Sequence, residues 1–242
     1  MMNSRFPIDR GTVSLAFVYA STHTAPTVAV QLLQALGALL LLTTFAVVAA
    51  RLLGGAIQAY AAQSFILALV AIVIGSVTGS ADLYIVAVLT IIVKGVAIPW
   101  ILRTVSQRLH VQREIRPYLS IPVSLLACGL LTLLAFFASP SVVAAGAFLN
   151  EPSLAISVAM VLIGLFILST RRHAIAQVIG LLIIENGLFA GAIAIAYGMP
   201  LIVEFGILFD ILIAVIVMSL LVTLIQRELI TSDTADLRRL RG

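Results

Sequence analysis

Charge is what this sequence has least of. Only 10% of its 242 residues are Asp, Glu, Lys or Arg, against 62% apolar, where a soluble domain carries about 25% charged residues. That scarcity excludes an ordinary water-soluble domain. There is one cysteine, Cys128, lying inside an apolar run, so the chain has no disulfide framework, no CxxC pair and no thiolate set for an iron–sulfur cluster. The three histidines, His23, His110 and His173, fall at or beyond the ends of the apolar runs, which gives no basis for a metal site. The net charge of +4 is too small and too dispersed to suggest nucleic acid as a partner.

What is there instead is length of apolar run. Residues 1–26 are a mixed polar tail, with a patch from Val13 to Ala20 that is short for a signal-peptide core and lacks a clear cleavage site. Apolar runs follow at 27–50, 54–78, 82–103, 118–138, 153–170, 174–198 and 200–226, each close to the ~20 residues that cross a bilayer. Arg51 with Gly54-Gly55, Gly79 to Asp82, Pro117, Pro140 to Pro152, Arg171-Arg172-His173 and Gly198 to Pro200 separate them. The expected fold is an all-α integral membrane protein of about seven transmembrane helices, with a tail at 227–242.

Eleven of the 14 basic residues follow odd-numbered runs: Arg51; Arg103, Arg108, Arg113 and Arg116; Arg171 and Arg172; Arg227, Arg238, Arg239 and Arg241. Basic residues mark the cytoplasmic side. The N-terminus is therefore expected outside and the C-terminus in the cytoplasm of a cell or inner membrane.

An internal repeat is also visible. Phe45 to Arg51 followed by Gln58 to Ala71 resembles Phe166 to Arg172 followed by Gly180 to Ile193, with Gln63-Ser64 in the place of Glu185-Asn186. This divides the chain into a three-helix unit at 27–117, a linking helix and outer loop at 118–152, and a second three-helix unit at 153–226. Two three-helix units in direct succession would point opposite ways. The extra helix restores a common orientation, so the repeat is parallel, unlike the inverted pairs of many transporters.

Lys94, Glu185, Glu204 and Asp210 are the ionisable residues within the runs. At 1.5 Å per residue, Lys94 lies about 18 Å from the outer end of its run, Glu185 about 16 Å from the inner end and Asp210 about 15 Å below the outer surface. Glu204 lies only about 6 Å in, and Gln63 reaches midplane depth. Each charge at a helix centre costs about 2.5–3.5 kcal/mol on insertion scales, so three cost on the order of 8 kcal/mol before pairing. Partners or water must offset that cost, and a carboxyl group held near its titration point suits proton relay. The alternatives are a structural ion pair and interhelical hydrogen bonding, the latter fitting Gln63. Pro99 has no N–H for the carbonyl of Gly95, so the helix is expected to bend or open beside Lys94. Asn186 and Gly187 adjoin Glu185, and Gly187-x-x-x-Gly191 allows close approach of another helix.

The segment Gln177 to Met218, with IENG followed by P-x-x-x-E-F-G-x-x-F-D, resembles the hydrogenase-4 component E family. The second half is also similar to NuoK of respiratory complex I and MrpC of cation/proton antiporters, both three-helix subunits. The resemblance covers residues 27–228 and is strongest after residue 160. It implies a non-catalytic membrane subunit of a hydrogenase-4 or formate-hydrogenlyase-like assembly, contributing to a central hydrophilic axis. Implied partners are quinone-site-like and antiporter-like membrane subunits and hydrogenase-like soluble subunits that hold the [NiFe] centre and iron–sulfur clusters, with no cofactor in this chain. Glu185 falls where NuoK has its second-helix glutamate. The third-helix glutamate of NuoK falls near Val215 here, and Asp210 lies one turn earlier. The expected path residues are Glu185, Lys94, Asp210, Glu204, Gln63 and Asn186. A free-standing ion transporter and a membrane scaffold are the rival readings.

Overall fold

The computed structural model of the protein describes residues 27–108, 119–143 and 151–195. Among these residues every regular element is helical: α1 (Thr27–Ala49), α2 (Leu53–Thr78), α3 (Ala81–Thr90), a π-helical segment π1 (Ile91–Ala97), α4 (Ile98–Arg108), α5 (Ile121–Val143), α6 (Glu151–Thr170) and α7 (Ala174–Ile195). α3, π1 and α4 run on as one rod, which leaves six helices long and apolar enough to cross a membrane. The chain is a multi-pass membrane protein. The run at 200–226, with Glu204 and Asp210, lies outside the described residues.

The helix limits follow the apolar runs to within a few residues, and the departures have local causes. The third rod continues past Arg103, which stays exposed, because Leu102, Val105 and Ser106 still turn inward. α2 ends at Gly79, whose φ of 69° is left-handed and whose N–H donates to Gly75 O at 2.9 Å. A residue with a Cβ is disfavoured in that conformation, and glycine is not.

The outward faces are as apolar as the interior. Ile85, Val88, Ile92, Val96 and Trp100 form an exposed stripe along the third rod, and Leu126, Leu130, Leu133 and Phe137 form another on α5. Such surface would drive aggregation in water, whereas lipid tails are as apolar as the side chains. Inside, α6 and α7 form the most extensive pair, α1 packs on α2, α5 and α6, and α2 packs on π1, α4 and α7. Small residues allow the tightest approach. A Cβ at Gly164 would meet Ile184 Cγ1 at 2.6 Å and Gly180 O at 2.9 Å, and Cβ atoms at Gly187 and Gly191 would each meet Ser157 on α6 at 3.0 Å. The Gly187-x-x-x-Gly191 pair is thus a helix-packing seam.

The rod carrying Lys94 departs from α-geometry where Pro99 predicts trouble. In an α-helix the Pro99 ring would crowd the Gly95 carbonyl. Instead the helix widens over Ile91–Ala97, and Ile98 N–H donates five residues back to Val93 O. The widening also sets which residues face inward. Thr90, Lys94, Ile98 and Leu102 are all buried, a spacing of four, which in a 3.6-residue helix would drift by about 40° per step. A π turn takes up that excess and keeps Lys94 on the inner face.

Candidate functional site

Lys94 is the middle residue of the rod Ala81–Gln107, and Glu185 is near the middle of α7. Their helices bring them together: Lys94 Nζ lies 3.1 Å from Glu185 Oε1, with side-chain exposures of 1% and 2%. At that depth bulk water does not solvate the charges, so each relies on the other and on its hydrogen-bond partners.

The lysine's second contact begins a chain of polar side chains that crosses the bundle. Nζ reaches Asn186 Oδ1 at a long 3.4 Å, Asn186 Nδ2 donates to Gln63 Oε1 at 3.1 Å, and Gln63 Nε2 donates to Thr44 Oγ1 at 2.7 Å. The Thr44 hydroxyl donates to Leu40 O at 2.8 Å. Glu185, Lys94, Asn186, Gln63 and Thr44 are all buried. They come from α7, π1, α2 and α1, so one polar layer links four segments inside an apolar bundle. The Phe189 ring, one turn beyond Glu185, sits 5.4 Å from the ammonium, within the range where a ring face attracts a cation.

Of the six residues expected on the path, the fold brings together Lys94, Glu185, Asn186 and Gln63. Glu204 and Asp210 lie outside the described residues. Gln63 is bonded on both sides, to α1 and to α7, so it acts as an interhelical tie within the layer. Thr44 was missed by sequence reasoning. Its signal is weak: the Thr43-Thr44 pair interrupts an apolar run, but a hydroxyl in a membrane helix usually satisfies itself on its own backbone, as Thr43 does on Leu39 O and Leu40 O.

A second polar cluster sits at the end of the bundle marked by Arg51 and Arg171. Arg171, between α6 and α7 and 3% exposed, donates from Nη2 to Val48 O at 2.6 Å. That carbonyl is in the last turn of α1, where acceptors lack intrahelical partners and a cation is favourable. Gln177 Nε2 donates to Arg171 O at 2.9 Å and ties down the turn. Burial pulls the Arg171 pKa below its ordinary value, with Cys128 a smaller influence in the other direction; a guanidinium nonetheless stays charged. The contact places the end of α1 and the α6–α7 turn at the same end of the bundle. No group of three or more His, Cys, Asp or Glu that could hold a metal occurs among the described residues.

The chain is similar to known proteins over most of its length. Residues 152–242 match the family model described as NADH-ubiquinone/plastoquinone oxidoreductase chain 4L. Hydrogenase-4 component E of Escherichia coli is 28% identical over 211 residues, covering 86% of this chain and 96% of that protein. The chain is thus similar to hydrogenase-4 component E along most of its length. An uncharacterised protein of Mycobacterium tuberculosis is 36% identical over 157 residues, 64% of this chain and 71% of that relative. No solved structure matches. The chain 4L match contains Glu185 and Asn186, while Lys94, Gln63 and Thr44 lie before it; the component E alignment is long enough to extend beyond the chain 4L-like part.

Proposed function

We propose that this chain is a non-catalytic membrane subunit of a hydrogenase-4-like, complex I-related assembly, and that its Lys94–Glu185 pair forms part of an ion-translocating polar path. The observation that carries this reading is the pair itself, 3.1 Å apart and almost wholly buried at mid-helix depth. Two apolar side chains of similar volume would fill the same space at lower desolvation cost. A buried pair has a use that an apolar pair lacks. It holds one proton between a base and an acid, and its charged and neutral forms differ only in where that proton sits. A proton arriving at the carboxylate or leaving the ammonium then changes the charge of the site, and the field of that change acts over neighbouring subunits in a medium of low dielectric.

In this proposal Glu185 is the main protonatable group and Lys94 its modulating partner. Asn186 and Gln63 carry the polar layer toward α1, and Asp210 and Glu204 extend the path toward the outer surface and a neighbouring subunit. The partners are antiporter-like and quinone-site-like membrane subunits, with hydrogenase-like soluble subunits holding the [NiFe] and iron–sulfur centres. The assembly sits in the cell membrane with this chain's C-terminus in the cytoplasm. The similarity to hydrogenase-4 component E and to chain 4L supports membership of such an assembly.

The test is Glu185→Gln in the intact complex. Gln keeps shape and an acceptor oxygen for Lys94, so the subunit is expected to stay in the complex, at lower thermal stability because the ammonium loses its counter-charge, while coupled ion transport falls about a hundredfold or more, the scale of a positioned acid–base group. Unchanged transport with normal assembly would refute the proposal, and loss of the subunit from membranes would assign the pair to structure.

A further inference from the structure

The polar chain has a direction, favoured at one end by the Lys94 ammonium, which can only donate, and fixed at the other by Thr44. Thr44 Oγ1 has one proton, and it is committed to Leu40 O at 2.8 Å. Only lone pairs remain toward α2, so Gln63 must offer its amide nitrogen, as the 2.7 Å Nε2 contact shows. Once Nε2 is turned to α1, Oε1 faces α7 and can only accept. Asn186 must therefore offer Nδ2 to Gln63 at 3.1 Å, which turns Oδ1 toward Lys94. Each donor points away from the lysine, and the sequence ends on a backbone carbonyl that cannot reverse. An amide alone has no such preference, because turning its head group by half a turn exchanges donor and acceptor.

We propose that Thr44 is the positioning residue of the Lys94–Glu185 site. It keeps the oxygen of Asn186, and not its NH2 group, facing the ammonium. The inference rests on the proposed role of that pair in ion translocation, and it assigns to α1 a function that neither the chain 4L-like region nor the charged residues themselves contain. With the hydroxyl removed, only the long 3.4 Å contact from the ammonium still orients the two amides, and Gln63 Nε2 loses its buried acceptor, so reversal of Gln63 and Asn186 together becomes less costly. Asn186 then presents a donor to a buried cation, which weakens Lys94's hold in the pair. Thr44 is buried with no exposure and acts through two amides, so its effect depends on both being present.

The experiment compares four variants in the intact complex: Thr44→Ser, Thr44→Val, Gln63→Met and the Thr44→Val/Gln63→Met pair, with Glu185→Gln as reference. Subunit recovery by mass spectrometry is measured beside coupled ion transport in membrane vesicles. Val matches Thr in shape without the hydroxyl, and Ser retains the hydroxyl without the methyl. Transport is expected to fall about fivefold in Thr44→Val, the scale of one net hydrogen bond, to stay above about half of the parental rate in Thr44→Ser, and to fall no further in the double variant than in Gln63→Met. Parental transport in Thr44→Val, independent multiplication of the two effects, or loss of the Thr44→Val subunit from the complex would each overturn the proposal. A transport loss in Glu185→Gln alongside a parental Thr44→Val would overturn only the role of Thr44. Parental transport in Glu185→Gln would overturn the reading of the pair on which it rests.

Discussion

At the scale of single residues, a buried charge is governed by its partner more than by its own identity. Removing one member of a buried pair strands the other, at a cost of about 3–5 kcal/mol, while replacing both with apolar groups of similar volume is often near neutral. Lys94→Met alone is therefore expected to lower the melting temperature of the detergent-solubilised protein, and Lys94→Met with Glu185→Leu to recover most of it while leaving coupled transport lost. Equal melting temperatures for the single and double variants would show that the carboxylate does not depend on the lysine. Arg171 poses a similar question at the end of α1. Arg171→Met removes a charged donor from Val48 O and is expected to cost about 1.5–3 kcal/mol. The loss should be the same from mildly acidic to mildly alkaline conditions, because a guanidinium does not titrate there; the check is the melting temperature as a function of pH.

At the scale of elements, close helix approach and one widened turn do most of the positioning. α6 and α7 meet through Gly164 and Gly180, where a Cβ at 164 would lie 2.6 Å from Ile184 Cγ1. Ile184 immediately precedes Glu185, so displacement of this seam would disturb the ion pair as well. Gly164→Ala is expected to destabilise by about 1–3 kcal/mol, whereas Gly54→Ala, where an added Cβ would meet nothing within 4 Å, should be neutral or mildly stabilising. Thermal unfolding of both variants checks the contrast, and equal effects would mean that α6 and α7 can separate without cost. The π segment shows how much of this scale was legible in advance. Pro99 announces that the helix is disturbed near Lys94, but a kink, a break and a widened turn all relieve the same clash. Packing chose the turn, since only an added residue keeps Thr90, Lys94, Ile98 and Leu102 on one face.

At the scale of the whole molecule, arginine distribution and the Arg171 contact give a topology that can be mapped. In a Cys128→Ser background, a cysteine at Ser80 is expected to react with a membrane-impermeant thiol reagent from outside whole cells, and cysteines at Arg51 or Arg172 only after the cells are opened. Labelling with the opposite sidedness would invert the orientation and with it the ends assigned to the polar path. The helices α2 and α7, which carry Gln63 and Glu185, pack against one another. Gln63 and Asn186 thus meet in one layer, so the two segments expected from sequence to be separate three-helix units share one polar network at this depth.

The sequence alone determined that this is a membrane bundle, where its described spans lie and which residues are too polar for their depth, because bilayer thickness and the cost of burying charge act locally on the chain. Glu185 and Lys94 stand out for that reason before any contact is known. Their pairing, the turning of Gln63 to bridge α1 and α7, and the place of Thr44 at the end of the chain were decided only by tertiary structure. Hydrogen-bond direction depends on which helix lies opposite, and a threonine that would satisfy itself on its own backbone becomes a fixed acceptor only when an amide 19 residues away is packed against it.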